Sequence, residues 1–198
     1  MNKSILQSIE SNEDRFVASR RFFFKTVAGV SLLTLSGVGS LNAAVRSPPA
    51  HKTIALNHVH TGDKLKLTYF EQGDYIEDAL QEINYLMRDY HTDAVHPIDP
   101  ALLDQLYDLK LVLGINKSFV VTSGYRSPRT NARLRKKHRS VAKHSLHMQG
   151  RAIDLHVGGL DTRKIRNAAL GMHRGGVGYC RRGNFVHLDT GSFRSWLC

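Results

Sequence analysis

The amino-acid sequence predicts an α+β domain in which an N-terminal hairpin and helices pack on a small, mostly antiparallel sheet. Apolar residues recur at helical spacing early in the chain, whereas the later part carries short apolar runs typical of strands. Helices and strands that are segregated along a chain indicate the α+β class. With 41% hydrophobic and 23% charged residues, the 198-residue chain has enough apolar side chains for a packed core.

The N-terminal 44 residues are typical of an export signal. A twin-arginine signature, SRRFFFK, occupies residues 19–25, and a moderately apolar stretch follows over residues 26–41. Small residues suited to cleavage come next, at Asn42-Ala43-Ala44. We therefore expect residues 1–44 to be a twin-arginine signal peptide that directs the protein to the periplasm. An uncleaved signal that anchors the chain in the membrane remains the alternative.

A short linker and a hairpin are predicted next. Residues 45–52 contain two adjacent prolines and are expected to be a linker, so that the folded domain spans residues 53–198. The hairpin is expected within residues 52–70, because an HTGD turn at residues 60–63 precedes alternating apolar side chains.

Three helices are predicted from periodicity and capping. The first covers residues 75–90, where apolar residues form one helical stripe. The second begins after Asp99, a good N-cap, with Pro100 in the first helical position, and it stops at Gly114. The third is capped by Asp161 and extends to Gly175.

Four strands are predicted from short apolar runs in the later part of the chain. They cover residues 119–122, 152–157, 177–180 and 185–188. The third helix lies between the second and third of these strands.

The positive charge of the chain bears on which macromolecules it can bind. The formal net charge is +11, and many of the basic residues lie between residues 126 and 143. This run is either a solvated face or a surface that docks on a polyanion, and the charge alone does not decide between them. Export argues against nucleic acid as the polyanion.

The two cysteines, Cys180 and Cys198, are either disulfide-bonded or free thiols.

The residues most indicative of chemistry lie in the segment SLHMQGRAID, residues 145–154. His147 and Asp154 are seven positions apart, so the chain must bend between them before both side chains reach one ion, and Gly150 allows the bend. A catalytic zinc usually has three protein ligands and one open position for water. His187 is the candidate third ligand, because strand alternation places it on one face together with Asp189.

The motif Ser-x-His-x-x-Gly-x-Ala-x-Asp, followed by a later strand histidine, resembles the zinc D-alanyl-D-alanine peptidase superfamily of cell-wall hydrolases. The segments SGYRSP (residues 123–128), GVGY (176–179) and VHLDTG (186–191) are most similar to the murein endopeptidase K branch. The resemblance implies a hedgehog/DD-peptidase-like fold for the catalytic domain. It also implies hydrolysis of the peptide cross-links of peptidoglycan.

The resemblance implies one zinc ion per chain, held by His147, Asp154 and His187. Arg126 would bind the developing oxyanion or a substrate carboxylate. Dipeptidase members carry an acidic residue three positions before the last histidine, where this chain has Asn184. Asp189 is therefore expected to be either the general base or the carboxylate that orients a histidine ligand.

Two alternative functions remain open at this point. The same zinc chemistry serves a D-alanyl-D-alanine carboxypeptidase or dipeptidase, although Asn184 argues against it. A non-catalytic, zinc-stabilised module that binds the wall is the other alternative. Membrane contact is expected only through an uncleaved signal.

Overall fold

The protein folds around a single sheet, seen in a computed structural model that describes residues 49–138 and 141–198. The signal peptide expected over residues 1–44, and Arg139 of the basic run, lie outside the described residues. The strands are β1 (His51–His58), β2 (Lys64–Glu71), β3 (Asp74–Tyr75), β4 (Phe119–Ser123), β5 (Ala152–Val157), β6 (Gly176–Cys180), β7 (Phe185–Asp189) and β8 (Arg194–Leu197). The helices are α1 (Glu77–Leu86), α2 (Pro100–Leu113), α3 (Pro128–Lys137), α4 (Thr162–Gly171) and a 3₁₀ helix at Leu146–Gln149.

The sheet has eight strands in the order β3-β2-β1-β4-β5-β7-β6-β8. Its strand pairs are antiparallel except for β1 with β4 and β6 with β8. The predicted α+β class and the mostly antiparallel sheet are therefore confirmed. None of the helices in the described residues has the length and apolar character that a membrane span requires.

The predicted hairpin is present as the pair β1 and β2. Its register joins Leu56 to Leu65 and Ile54 to Leu67. Strand β1 begins at His51, so residues 51 and 52, which the sequence suggested as the end of a linker, lie in the sheet.

The helix predicted over residues 75–90 is shorter in the structure. Tyr75 pairs with Phe70 in the sheet, so its backbone is extended and α1 starts only at Glu77.

The helix predicted after Asp99 matches its prediction closely. The Asp99 carboxylate accepts a hydrogen bond from the backbone N–H of Ala101, and Gly114 ends α2 in the left-handed conformation.

Helix α3 was not predicted, because it has almost no apolar stripe. Its buried residues are Thr130 and Asn131, and it begins at Pro128 after the N-cap Ser127. Its basic side chains lie on the solvated face and include Arg129, Arg133, Arg135, Lys136 and Lys137. The third predicted helix exists as α4, but it ends at Gly171 and not at Gly175.

The core lies on one side of the central strands β5 and β7. On β5, Ile153 and Leu155 are fully buried in the core, as are Val186 and Leu188 on β7. Because side chains alternate along a strand, the residues between them point to the opposite face.

The two cysteines form a disulfide in the structure, Cys180 with Cys198. This bond joins the end of β6 to the C-terminal residue, directly after β8. The short strand β8 was not predicted, since its four residues show no apolar alternation.

Candidate metal centre

His147, Asp154 and His187 come together on the face of the sheet opposite the core. Each offers one ligand atom, and these three atoms lie within 4.8 Å of one another. His187 Nδ1 is 2.8 Å from Asp154 Oδ1 and 3.1 Å from His147 Nε2, and His147 Nε2 is 3.3 Å from Asp154 Oδ1. The residues that the sequence proposed as metal ligands are therefore neighbours in space.

The bend predicted at Gly150 brings His147 to this group. His147 lies in the 3₁₀ helix, and Gly150 ends that helix with a φ of 66°. A side chain at Gly150 would also collide with the carbonyl oxygen of Pro97. Only glycine combines this left-handed conformation with such a close approach of another backbone. The chain then turns back and enters β5, which carries Asp154.

Asp154 and His187 are placed by sheet register. They are directly paired across the antiparallel strands β5 and β7. Cross-strand partners share a face and lie close together, so two of the three candidate ligand side chains meet because of strand pairing alone.

The hydrogen bonds of the two imidazole rings direct their free nitrogens to one point. His147 Nδ1 is 2.7 Å from the carbonyl oxygen of Gly124, to which it can only donate. His187 Nε2 is 3.0 Å from Asp189 Oδ2 and donates to that carboxylate. The remaining ring nitrogens, His147 Nε2 and His187 Nδ1, therefore present lone pairs beside a carboxylate oxygen of Asp154.

This donor set fits a zinc ion. Three lone-pair donors that face each other at 2.8–3.3 Å repel unless a proton or a metal cation lies between them. Ligand atoms about 2.0–2.1 Å from a tetrahedral zinc ion are separated by roughly 3.3 Å, close to these distances. Two imidazoles and one carboxylate are also the ligand types found at catalytic zinc sites.

Electrostatics favour the ligand forms of His147 and Asp154. Burial lowers the pKa of His147 to about 4, so its ring is neutral at pH 7. Burial alone would raise the pKa of Asp154, but the neighbouring His147 and His187 hold it well below its usual range. Burial likewise opposes charge on His187, yet hydrogen bonds to Asp154 and Asp189 raise its pKa. A proton and a metal thus compete for the same nitrogen of His187.

Asp189 is enclosed by hydrogen-bond donors. It is fully buried, and its carboxylate accepts bonds from His187 Nε2, from the Arg194 guanidinium and from the backbone N–H groups of Gly176 and Gly191. Burial alone would raise its pKa, but these donors lower the pKa of Asp189 strongly. Such a carboxylate holds the ring of His187 in one orientation and has a low affinity for a proton.

Arg126 lies beside the three-residue group, and one of its N–H donors has no hydrogen-bond partner in the described part of the chain. Its Nη2 is 3.3 Å from Asp154 Oδ2, and 11% of its side-chain surface is exposed. Its Nε is buried and has no hydrogen-bond partner within the described residues. The Arg126 backbone N–H donates to the carbonyl oxygen of His147, which ties the two residues together. A buried N–H without a partner is costly to the folded state.

Three other polar residues close in sequence to the candidate ligands are not part of the group. Asn184 lies just before β7 with a φ of 51°, and its side-chain oxygen accepts a hydrogen bond from Thr162. His144 and His156 are not part of the three-residue group.

Sequence reasoning missed three neighbours of the group. The Gly124 carbonyl is a backbone atom and leaves no signal in the sequence. Arg194 and Trp196 lie on β8, and Trp196 places its ring centroid 5.1 Å from that of His187. The lone tryptophan near the C-terminus was the one available signal.

Comparison with known proteins identifies similar sequences. A family described as "Peptidoglycan L,D-endopeptidase MepK" matches residues 46–196. The Peptidoglycan L,D-endopeptidase MepK of Escherichia coli (strain K12) is 44% identical over 191 residues, which cover 92% of this chain and 100% of that protein. The "Probable peptidoglycan L,D-endopeptidase MepK" of Haemophilus influenzae is 36% identical over 169 residues, with 85% of this chain and 88% of that protein covered. No solved structure gave a match.

Proposed function

Because the chain belongs to the MepK family of peptidoglycan L,D-endopeptidases, we propose that it hydrolyses L,D peptide cross-links of peptidoglycan at a zinc centre formed by His147, Asp154 and His187. The chain is a peptidoglycan endopeptidase by its family. The observation that carries the zinc centre is the convergence of two imidazole lone pairs on Asp154, each ring being fixed through its other nitrogen.

Each residue of the proposed centre has a distinct role. A zinc ion, when bound, supplies a Lewis acid that lowers the pKa of a coordinated water toward neutrality. Asp154 contributes the one negative charge of the ligand set, and Asp189 keeps the ring of His187 in place. The guanidinium of Arg126, which lies beside Asp154, would stabilise the oxygen on which charge develops during attack on a peptide carbonyl.

Asp189 acts as an orienting carboxylate in this proposal, and not as the general base. Its two oxygens are already occupied by donors from His187, Arg194 and two backbone N–H groups. A base must present a lone pair to the reacting water, and its pKa should lie near the working pH. The strongly lowered pKa of Asp189 does not meet that requirement.

The proposal includes the periplasm as the site of action. The twin-arginine signature at residues 19–25 directs export, and peptidoglycan lies beyond the cytoplasmic membrane. The basic mature chain suits a substrate rich in carboxylates. Peptidoglycan peptides are therefore its partner, and contact with the membrane is limited to an uncleaved signal.

Removal of the metal tests the proposed function. We expect the zinc-loaded protein to convert L,D-linked muropeptide dimers to monomers, and we expect a chelator to stop the conversion because the coordinated water is lost. The products are separated by liquid chromatography and identified by mass. Added zinc should restore the activity. Trimming of terminal D-alanine from intact dimers would instead indicate the carboxypeptidase, and bound zinc without any product would indicate a binding module.

Asp189→Asn distinguishes an orienting carboxylate from a base. The amide cannot accept all the bonds that the carboxylate accepts, so we expect zinc affinity to fall about 10–100-fold. Saturating zinc should restore most of the activity. Zinc affinity is measured by competition with a chromogenic chelator, and cleavage is measured on the same dimers.

Asp161→Asn is the matched control, since Asp161 caps α4 and asparagine caps a helix equally well. A different outcome would overturn the assignment. If Asp189→Asn binds zinc as tightly as the unaltered chain but loses its activity at every zinc concentration, Asp189 serves as the base.

A further inference from the structure

A row of residues crosses the sheet from the metal centre to its edge. Asp154 is paired with His187, His187 with Gly178, and Gly178 with Trp196 on the edge strand β8. Residues that are paired across a sheet point to the same face. Trp196 therefore lies on the face that carries the metal ligands.

Because Gly178 is a glycine, the ring of Trp196 can lie directly against it and so come close to the metal centre. A Cβ atom at Gly178 would lie 2.7 Å from two atoms of the indole ring, closer than packed atoms approach. The indole thus covers Gly178, and its centroid is 5.1 Å from that of His187. Glycine within a strand often marks such a close approach of another group. The row brings an aromatic surface to the side of the proposed ligand His187.

Strand β8 is held firmly in this position. It pairs in parallel with β6, and the Cys180–Cys198 disulfide closes its end. At its start, Arg194 binds Asp189, the carboxylate that orients His187. These links fix the indole independently of any substrate, so its position beside the centre is preorganised.

We infer that Trp196 forms a wall of the substrate cleft and packs against the aliphatic part of a substrate side chain that flanks the scissile bond. The inference rests on the proposed function. An indole offers a large, rigid apolar surface at small entropic cost. Trp196 is only partly buried, so its ring can still receive an apolar group of the substrate.

The fluorescence of Trp196 gives a direct readout, because it is the single tryptophan of the chain. Zinc-loaded protein is mixed with L,D-linked dimers in a stopped-flow instrument. We expect a saturable change in tryptophan emission that precedes product formation. Emission that stays constant while dimers are bound and cleaved would overturn the inference.

Substitutions separate a role in substrate binding from a role in folding. Trp196→Ala is expected to raise KM about tenfold, the effect of losing one buried apolar contact, with little change in kcat. Trp196→Phe should retain most of the affinity. Leu197→Ala is the matched control, because the exposed Leu197 is adjacent on β8 and points to the opposite face. Zinc content is measured for every variant.

Gly178→Ala provides the deciding variant if Trp196→Ala loses zinc. It keeps the indole but displaces it, so a raised KM with zinc retained supports the inference. An unchanged KM in Trp196→Ala or Gly178→Ala with full zinc content overturns it, as does zinc loss from both variants. If the unaltered chain does not cleave dimers at all, the proposed function fails instead.

Discussion

His187→Ala is expected to abolish zinc binding at micromolar metal and to lower kcat/KM on L,D-linked dimers by on the order of 10³-fold or more. His187 offers one of the three proposed ligand atoms, and its Nδ1 is 2.8 Å from Asp154 Oδ1. The substitution also removes the partner through which Asp189 acts. Zinc stoichiometry by atomic spectroscopy and cleavage by chromatography measure the two effects separately.

His156→Ala is the matched control for this prediction. His156 lies on the neighbouring strand β5, two residues after Asp154, and it is partly exposed and outside the three-residue group. We expect its loss to leave zinc stoichiometry unchanged. Full zinc content and normal cleavage in His187→Ala would contradict the proposed centre and would require another set of ligands.

The elements predicted correctly are those whose signals are local. The limits of α2 follow from an aspartate cap, a proline in the first turn and a glycine after the last turn. The strands β5 and β7 follow from short apolar runs in which apolar and polar residue types partly alternate. In each case the residues that determine the element lie within it or next to it.

The elements that were missed depend on tertiary contacts. Helix α3 lacks an apolar stripe and is held through Ser127, whose backbone N–H donates to the buried carboxylate of Asp89. Strand β8 is defined by its pairing with β6 and by the Cys180–Cys198 disulfide. Neither partner is close in sequence, so periodicity could not indicate these elements.

In the candidate site, too, features with a local sequence signal were predicted and features that depend on tertiary contacts were mostly missed. The ligand residues were proposed from residue type, spacing and a family motif, and the structure places them together. Of their supporting contacts, only that of Asp189 with a histidine ligand was among the expectations. A backbone carbonyl at Gly124 and a guanidinium at Arg194 come from other parts of the chain, and the fold alone brings them to the ligands.

Arg126→Ala is expected to lower kcat about 10²–10³-fold while leaving zinc bound, the cost of removing one donor that stabilises an oxyanion. The guanidinium is mostly buried beside Asp154, and its Nε has no partner within the described residues. We expect a donor of this guanidinium to gain a partner when an oxygen of the substrate binds. Its contribution should therefore be larger in the transition state than in the free enzyme, and it should appear mainly in kcat.

Two further variants locate this effect in the geometry of the guanidinium. Arg129→Ala removes an exposed positive charge three residues away on α3 and should leave kcat unchanged, which excludes a general effect of charge. Arg126→Lys keeps the charge but cannot present the fixed planar donors, so it should recover only a small part of the rate. A lysine variant as active as the unaltered chain would show that charge alone suffices. An alanine variant that loses zinc would instead assign Arg126 to the support of Asp154.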